Sequence, residues 1–226
     1  MHLLILGRGK TGSLVAQIAR DRRHHVHVLG ASDNSEAHAL TPDFLSEYDV
    51  VIDFTAPSVV VANIESCVKA GKNMVVGTTG WHEHLPRIRD MVRNAGTGFL
   101  FGANFSIGIN VFFEIARAAA KALNYDYAGQ IFERHHAQKK DAPSGTALTL
   151  QGIMRDSGGR ELEIVSFREG EVVGMHELVL NSQNDRIYLC HDSNSRRGFA
   201  EGAVLGAEWI AGKHGFFEFL EMWKDL

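Results

Sequence analysis

Short apolar runs alternate with longer amphipathic stretches through the first hundred residues. LLIL at 3–6 predicts a strand, SLVAQIARD at 13–21 a helix and VHVLG at 26–30 a second strand. A third strand is expected over 49–54 (DVVIDF). A helix over 56–71 follows, which Gly71 can end in the left-handed conformation, and then strands at 74–77 and 98–102. Strands that are apolar at consecutive positions are buried on both faces, so helices should cover both sides of a parallel sheet.

The pattern changes after Asn104. A helix is expected from about 108 to 123, with Val111, Phe112, Ile115, Ala116 and Ala119 at helical spacing. AGQIFERHH, ELEIVSFREG, VVGMHELVL and DRIYLCHD then read as strands joined by polar turns, an antiparallel run rather than further βαβ units. From Phe199 the chain returns to helix, its Ala and Gly residues spaced for close packing against the first domain. The fold class expected is α/β, with a first domain over 1–105, a smaller α+β domain with a mixed or antiparallel sheet over 106–198, and C-terminal helices over 199–226.

Composition narrows the function classes. The 23 basic and 27 acidic residues leave a formal net charge of -4, and without a long basic block they argue against a nucleic-acid surface. No apolar run approaches the ~20 residues that span a bilayer, and MHLLILG lacks a basic leader and cleavage site, so a cytoplasmic protein is expected. Cys67 and Cys190 sit in apolar surroundings and predict two buried thiols rather than a disulfide, metal site or nucleophile. Among 12 histidines, His24, His25 and His27 cluster without thiols or carboxylates at ligand spacing, which predicts a solvated loop, and no metal site is expected.

The chemistry begins at GRGKTG, where Gly7, Gly9 and Gly12 fall between a buried strand and a helix. In that context Gly7 permits the turn, Gly9 lets a pyrophosphate approach the backbone and Gly12 lets helix and strand pack closely, with free N–H groups at the helix start for the phosphates. Arg8, Lys10 and Thr11 complete the expected contact segment, and Lys10 adds a cation. Asp33, just past the second strand, can accept from the adenosine ribose hydroxyls, while Ser32 and Asn34 leave room for a 2'-phosphate, so NADH and NADPH both stay open. The turns Gly77-Thr78-Thr79 and Gly102-Ala103-Asn104-Phe105 follow buried strands on the ligand-binding side of such a sheet and fit a nicotinamide ribose and carboxamide.

ERHHAQKKDAPSGTALTL at 133–150 carries a different chemistry. Ser144 or Thr146 can cap a helix whose first N–H groups, at Gly145 and Thr146, attract a carboxylate, and Lys139 would add a full positive charge. Adjacent residues of an extended strand face opposite sides, so His135 and His136 should have different tasks.

The ordered motifs GRGKTG, IDFT, GTTG, GANFSIGIN, ERHHAQKKDAPSGTA, VVGMHE and SRRGFAEGA closely resemble the 4-hydroxy-tetrahydrodipicolinate reductase (dihydrodipicolinate reductase) family over nearly the whole chain. The resemblance implies a Rossmann-type domain completed by the C-terminal helix, and a second domain that binds substrate and forms a homotetramer. It implies reduction of a cyclic unsaturated dicarboxylate by NADH or NADPH in lysine and diaminopimelate biosynthesis. By position, His135 matches the acid/base residue and Lys139 the proton donor, His136, Gly145 and Thr146 match substrate contacts, and the three glycine-containing turns match cofactor contacts. This chain departs from the family in a first glycine turn one residue shorter than usual and a compact stretch before VVGMHE. Two other readings remain open: an aspartate-dehydrogenase-like oxidoreductase, which would not need the HHxxK and SGT pocket, and a non-catalytic dinucleotide-binding regulator.

Overall fold

The computed structural model describes residues 1–224. Contacts divide the chain into two units, one of Met1–Ser106 with the segment from Arg197 onward, the other of Ile107–Arg196.

The first unit runs β1 (His2–Leu6), α1 (Lys10–Asp21), β2 (His25–Leu29), α2 (Pro42–Ser46), β3 (Val50–Asp53), α3 (Pro57–Lys69), β4 (Asn73–Val76), α4 (Leu85–Ala95) and β5 (Gly98–Phe101). All its strands pair in parallel, and β1 lies between β2 and β3, so the chain reverses direction across the sheet at this point. Consecutive apolar residues then feed two cores. Leu3 and Ile5 face one side with Val15 and Ala19 of α1, whereas Leu4 and Leu6 face the other with Val60 and Ile64 of α3. Each such fully buried side chain is worth about 1.5–3 kcal/mol relative to exposure, which is why these strands tolerate no polar alternation.

The second unit contains α5 (Ile107–Ala119), β6 (Ala128–His135), α6 (Gly145–Gly158), β7 (Glu163–Arg168), β8 (Met175–Asn181) and β9 (Arg186–Asp192), with sheet order β7-β6-β8-β9. Both helices pack on one face, burying Ile109, Phe112, Leu150 and Met154 against Ile131, Leu178 and Leu180. The other face carries Phe132, Val165, Phe167, Val179 and Tyr188 in adjoining register positions, and it is more open, with Phe167 and Tyr188 40% and 55% exposed.

Several expectations are corrected. The second sheet is mixed but not simply antiparallel: β6 and β7 pair in parallel across α6, a βαβ crossover, because a 14-residue helix separates the two strands. The expected helix at 108–123 ends at Ala119 and tightens into a 3₁₀ turn over Ala120–Asn124. Its inward face uses Ile109, Phe112, Phe113 and Ala116, while Val111 and Ile115, four residues apart, form an exposed second stripe. The C-terminal segment is not all helix. After α7 (Arg197–Ile210) comes β10 (Gly215–Glu218), which adds a parallel edge strand beside β5, and then α8 (Phe219–Lys224). α7 packs against α1, and a Cβ on Gly202 would lie 1.8 Å from the Phe105 carbonyl oxygen, so only glycine admits this approach. Cys67 is buried but Cys190 is exposed, since it alternates onto the open face of β9. The histidine cluster is not a solvated loop: His25 and His27 lie in β2, and His24 bonds Glu208 at 2.8 Å. No helix among the described residues is long and apolar enough to cross a membrane.

Candidate active site

The carboxyl ends of β1, β3 and β4 enclose a cleft of about 310 Å³ lined by Gly9, Lys10, Thr11, Gly12, Phe54, Thr55, Pro57, Gly77, Thr78 and Thr79. Gly7 sits at φ +107°, and a Cβ there would lie 2.1 Å from the Phe54 carbonyl oxygen; a Cβ on Gly12 would lie 2.2 Å from the Gly7 oxygen. Both glycines are demanded by the protein itself. A Cβ on Gly9 would meet nothing within 4 Å, so only a ligand against this backbone could require glycine there. Gly9 caps α1 without a side-chain bond, and the first turn of α1 holds no acidic residue, leaving a positive helix end toward the cleft. These features fit a dinucleotide pyrophosphate.

A buried carboxylate braces the cleft wall. Asp53, 0% exposed, accepts from Thr55 Oγ1 (2.7 Å), Thr55 N (3.0 Å), Thr78 Oγ1 (2.7 Å) and Asn63 Nδ2 (2.8 Å). Burial pushes its pKa up while these donors pull the other way. Thr78 is held a second time by Trp81 Nε1, which donates to its carbonyl at 2.7 Å. The Asn63 amide continues the chain to Asn34 Nδ2 at 3.0 Å, so the loops after β2, β3 and β4 share one buried hydrogen-bond network.

Asp33 accepts from the Gly30 N–H at 2.8 Å and pairs with Arg8 Nη2 at 3.0 Å. The Gly30 bond holds its carboxyl below the usual range against partial burial, and Arg8 adds to that effect. The turn at 102–105 lies at the end of β5 and does not line the cleft. Ala103 is exposed there, Asn104 Oδ1 accepts from Ser106 N at 2.9 Å, and the Phe105 ring is buried against Phe54 and Phe219.

In the second unit the ERHH segment ends β6, with Glu133 and His135 on its buried face. His135 Nδ1 lies 2.5 Å from Glu133 Oε2, and Glu133 Oε1 accepts from Arg168 Nη2 at 2.7 Å. Arg168 Nη2 also donates to the Asp141 carbonyl at 2.7 Å, tying β7 to the loop before α6. Burial pushes Glu133 up, but Arg168, Ser166 and His135 outweigh it and hold the carboxyl low. Burial pushes His135 down, against the upward pull of Glu133.

His136 lies just past β6 and is half-buried, with a shielded Nδ1 that has no hydrogen-bond partner. Lys139 Nζ grips both Asp141 oxygens at 2.8 Å, whereas Lys140 is exposed. Ser144, rather than Thr146, caps α6 by accepting from Ala147 N at 3.2 Å, and its Oγ also lies 3.1 Å from His176 Nε2. A Cβ on Gly145 would meet nothing within 4 Å. Thr146 is buried in the first turn. Burial, with His135 nearby, pushes His176 down to about 3, so its ring is neutral.

Glu133, His135 and His176 offer ligand atoms within 4.8 Å of one another. Arg168 supplies a cation opposite Glu133, and the carboxylate's other oxygen lies against His135, so both oxygens of Glu133 are engaged within the protein.

The expected site residues do not include Glu133, Arg168, His176, Asp53, Phe54, Thr55 or Pro57, although IDFT, ERHH and VVGMHE contain all of these but Pro57 and Arg168. Two signals mark some of them: a carboxylate closing the all-apolar strand VVID, and a glutamate two positions before His135 on a strand, hence on the same face.

A parallel sheet with a glycine turn at the first strand and a helix-start cleft at its carboxyl end defines a dinucleotide-binding domain of the kind that nicotinamide-dependent oxidoreductases carry, here with a second unit rich in cationic and imidazole groups. Comparison with known proteins gives the family. Residues 1–105 match the profile described as dihydrodipicolinate reductase, N-terminus, and residues 108–223 match that described as dihydrodipicolinate reductase, C-terminus. The 4-hydroxy-tetrahydrodipicolinate reductase of Christiangramia forsetii is 36% identical over 240 residues, spanning 100% of this chain and 99% of that protein. That of Laribacter hongkongensis is 35% identical over 77% of this chain and 72% of that one. The chain belongs to the dihydrodipicolinate reductase family. Its fold matches the dipicolinate-bound dihydrodipicolinate reductase of Paenisporosarcina sp. TG-14 with a TM-score of 0.77 at 21% identity, covering 98% of this chain and 99% of that one.

Proposed function

We propose that this chain reduces 4-hydroxy-tetrahydrodipicolinate to tetrahydrodipicolinate with NADH or NADPH, in the cytoplasm, as a step of lysine and diaminopimelate formation. The observation that carries this reading is the cluster of Lys139, His135 and Ser144 around the start of α6, a set of donors matched to a carboxylate-bearing ring.

Gly9 to Gly12 at the α1 terminus would hold the pyrophosphate, Thr78 and Thr79 the nicotinamide half, and Asp33 with Arg8 the adenosine ribose. Asp33 can accept from a 2'-hydroxyl, and Arg8 beside it can face a 2'-phosphate, so one pair serves either cofactor. When bound, the nicotinamide supplies hydride to the substrate ring. The 4-hydroxyl leaves as water with a hydrogen of the neighbouring ring carbon. Lys139 Nζ leaves Asp141 for a substrate carboxylate and donates the proton that balances the hydride, so that loss of water and gain of hydride and proton together give tetrahydrodipicolinate. His135 acts beside it as the acid/base group, and His136 with the Gly145 and Thr146 segment contacts the carboxylates.

Ser144 is prepared as a donor. An N–H buried without a partner costs more than a bare ring nitrogen, so His176, whose Nδ1 is unpartnered, carries its hydrogen on Nε2 and gives it to Ser144 Oγ. Ser144 Oγ then accepts from both His176 and Ala147, which frees its O–H for an anion.

Pyridine-2,6-dicarboxylate is expected to inhibit competitively against the substrate and not against the dinucleotide, in steady-state kinetics. Failure to compete would favour an oxidoreductase acting on another imine or amino acid. The open face of the second sheet, with Phe132, Val179 and Tyr188, supports assembly as a homotetramer. Light scattering of the purified protein should report four chains, and a monomer would rule the assembly out.

A further inference from the structure

We propose that Glu133, clamped by Arg168, is the positioning residue that fixes the tautomer of His135 and turns its Nε2 to the substrate; this rests on the reading of His135 as the acid/base group.

A carboxylate can only accept, so the 2.5 Å contact with Glu133 places a hydrogen on His135 Nδ1. In the neutral ring Nε2 is therefore the bare atom, and in the charged ring it is the acid. The residue facing that atom just before β8 is Gly174, where a Cβ would lie 3.0 Å from Nε2, so glycine there spares the atom a side chain. The carboxylate cannot swing away. Glu133 is 0% exposed, its other oxygen is held at 2.7 Å by Arg168, and Arg168 is held in turn by the Asp141 carbonyl.

Such a group is a poor way to stabilise a fold. Buried ion pairs repay little or none of their desolvation cost, and apolar residues of similar size usually serve stability as well or better. Holding an imidazole in one tautomer is a task that an apolar side chain cannot perform.

The groups facing His135 are Glu133 on its own strand, Arg168 on β7, Lys139 in the following loop and the His176 ring on β8, with ring centroids 5.2 Å apart. Of these only Glu133 favours the imidazolium. Its removal therefore favours the neutral ring, so activity that needs the imidazolium should fail at a lower pH.

Glu133→Gln keeps the shape, removes the charge and lets the amide offer either an acceptor or a donor to Nδ1. The expected result is a fall in kcat of about 10²-fold, with KM for the dicarboxylate changed by less than about threefold and the alkaline limb of the kcat profile moved to lower pH. Glu133→Asp should recover part of the loss. Unchanged kcat with an unmoved limb would overturn the proposal. If Glu133→Gln does not fold, nitrogen NMR of the ¹⁵N-histidine-labelled full-length protein decides: hydrogen on Nδ1 of neutral His135 supports the proposal and hydrogen on Nε2 overturns it. His135→Asn separates this from the underlying reading. Wild-type turnover in His135→Asn removes the acid/base role itself, whereas loss in His135→Asn beside normal Glu133→Gln removes only the role of Glu133.

Discussion

Replacing Lys139 with alanine is expected to lower kcat by about 10²- to 10⁴-fold, the range a positioned proton donor contributes. KM for the dicarboxylate should rise as well, because the ammonium also attracts the substrate. The fold should not suffer. The partner of Lys139 is Asp141, whose side chain is 59% exposed and returns to water when the pair is broken, so the loss of stability should be within about 1 kcal/mol. Lys139→Arg sharpens the test, since it keeps the charge but not an ammonium able to release its proton, and should recover KM more than kcat. Steady-state kinetics with a thermal melt of each variant check this, and a Lys139→Ala kcat within threefold of wild type would remove Lys139 from the chemistry.

Gly7→Val should cost on the order of 4 kcal/mol or more, combining a backbone conformation that a β-branched residue rarely adopts with direct overlap. The overlap is with backbone, since a Cβ would sit 2.1 Å from the Phe54 oxygen just past the carboxyl ends of the paired strands β1 and β3, and no side-chain rotation relieves it. Domains are stable by only about 5–15 kcal/mol. The variant should therefore be largely insoluble or melt far below the wild type. Gly9→Ala is its counterpart, because the added methyl meets nothing in the protein. It should melt like the wild type yet bind dinucleotide at least about tenfold more weakly, a difference of about 1.4 kcal/mol. Calorimetry of both variants measures this, and full-strength binding by Gly9→Ala would place the pyrophosphate elsewhere.

Much of the first unit was legible because burial on both faces leaves an unmistakable trace: LLIL, VVID and GFLF carry almost no polar residue. The glycine turn could be read for a related reason, as Gly7 and Gly12 each answer a local collision. Strand β10 could not be read so easily. GFFE is four residues long, lies between two helices, and becomes a strand only because β5 offers it an edge. Nor does periodicity alone distinguish parallel from antiparallel partners for β6 and β7. That choice depends on α6 crossing between them.

The substrate side shows the same division. His135, Lys139 and Ser144 lie within one short stretch and stood out together, with Ser144 in its capping place. Arg168 is 35 residues beyond Glu133 and meets it only through the β6–β7 pairing. His176 reaches Ser144 from β8 in the same way. Contacts of this kind leave no local pattern, so Arg168 and His176 were harder to see than His135, Lys139 and Ser144.

The most direct test is turnover by the purified full-length protein, supplied in parallel with NADH and NADPH together with freshly formed 4-hydroxy-tetrahydrodipicolinate. The account predicts oxidation of at least one reduced cofactor, mole for mole with the dicarboxylate consumed, and none without it. Protein that binds dinucleotide yet oxidises neither NADH nor NADPH in the presence of this substrate would contradict the account.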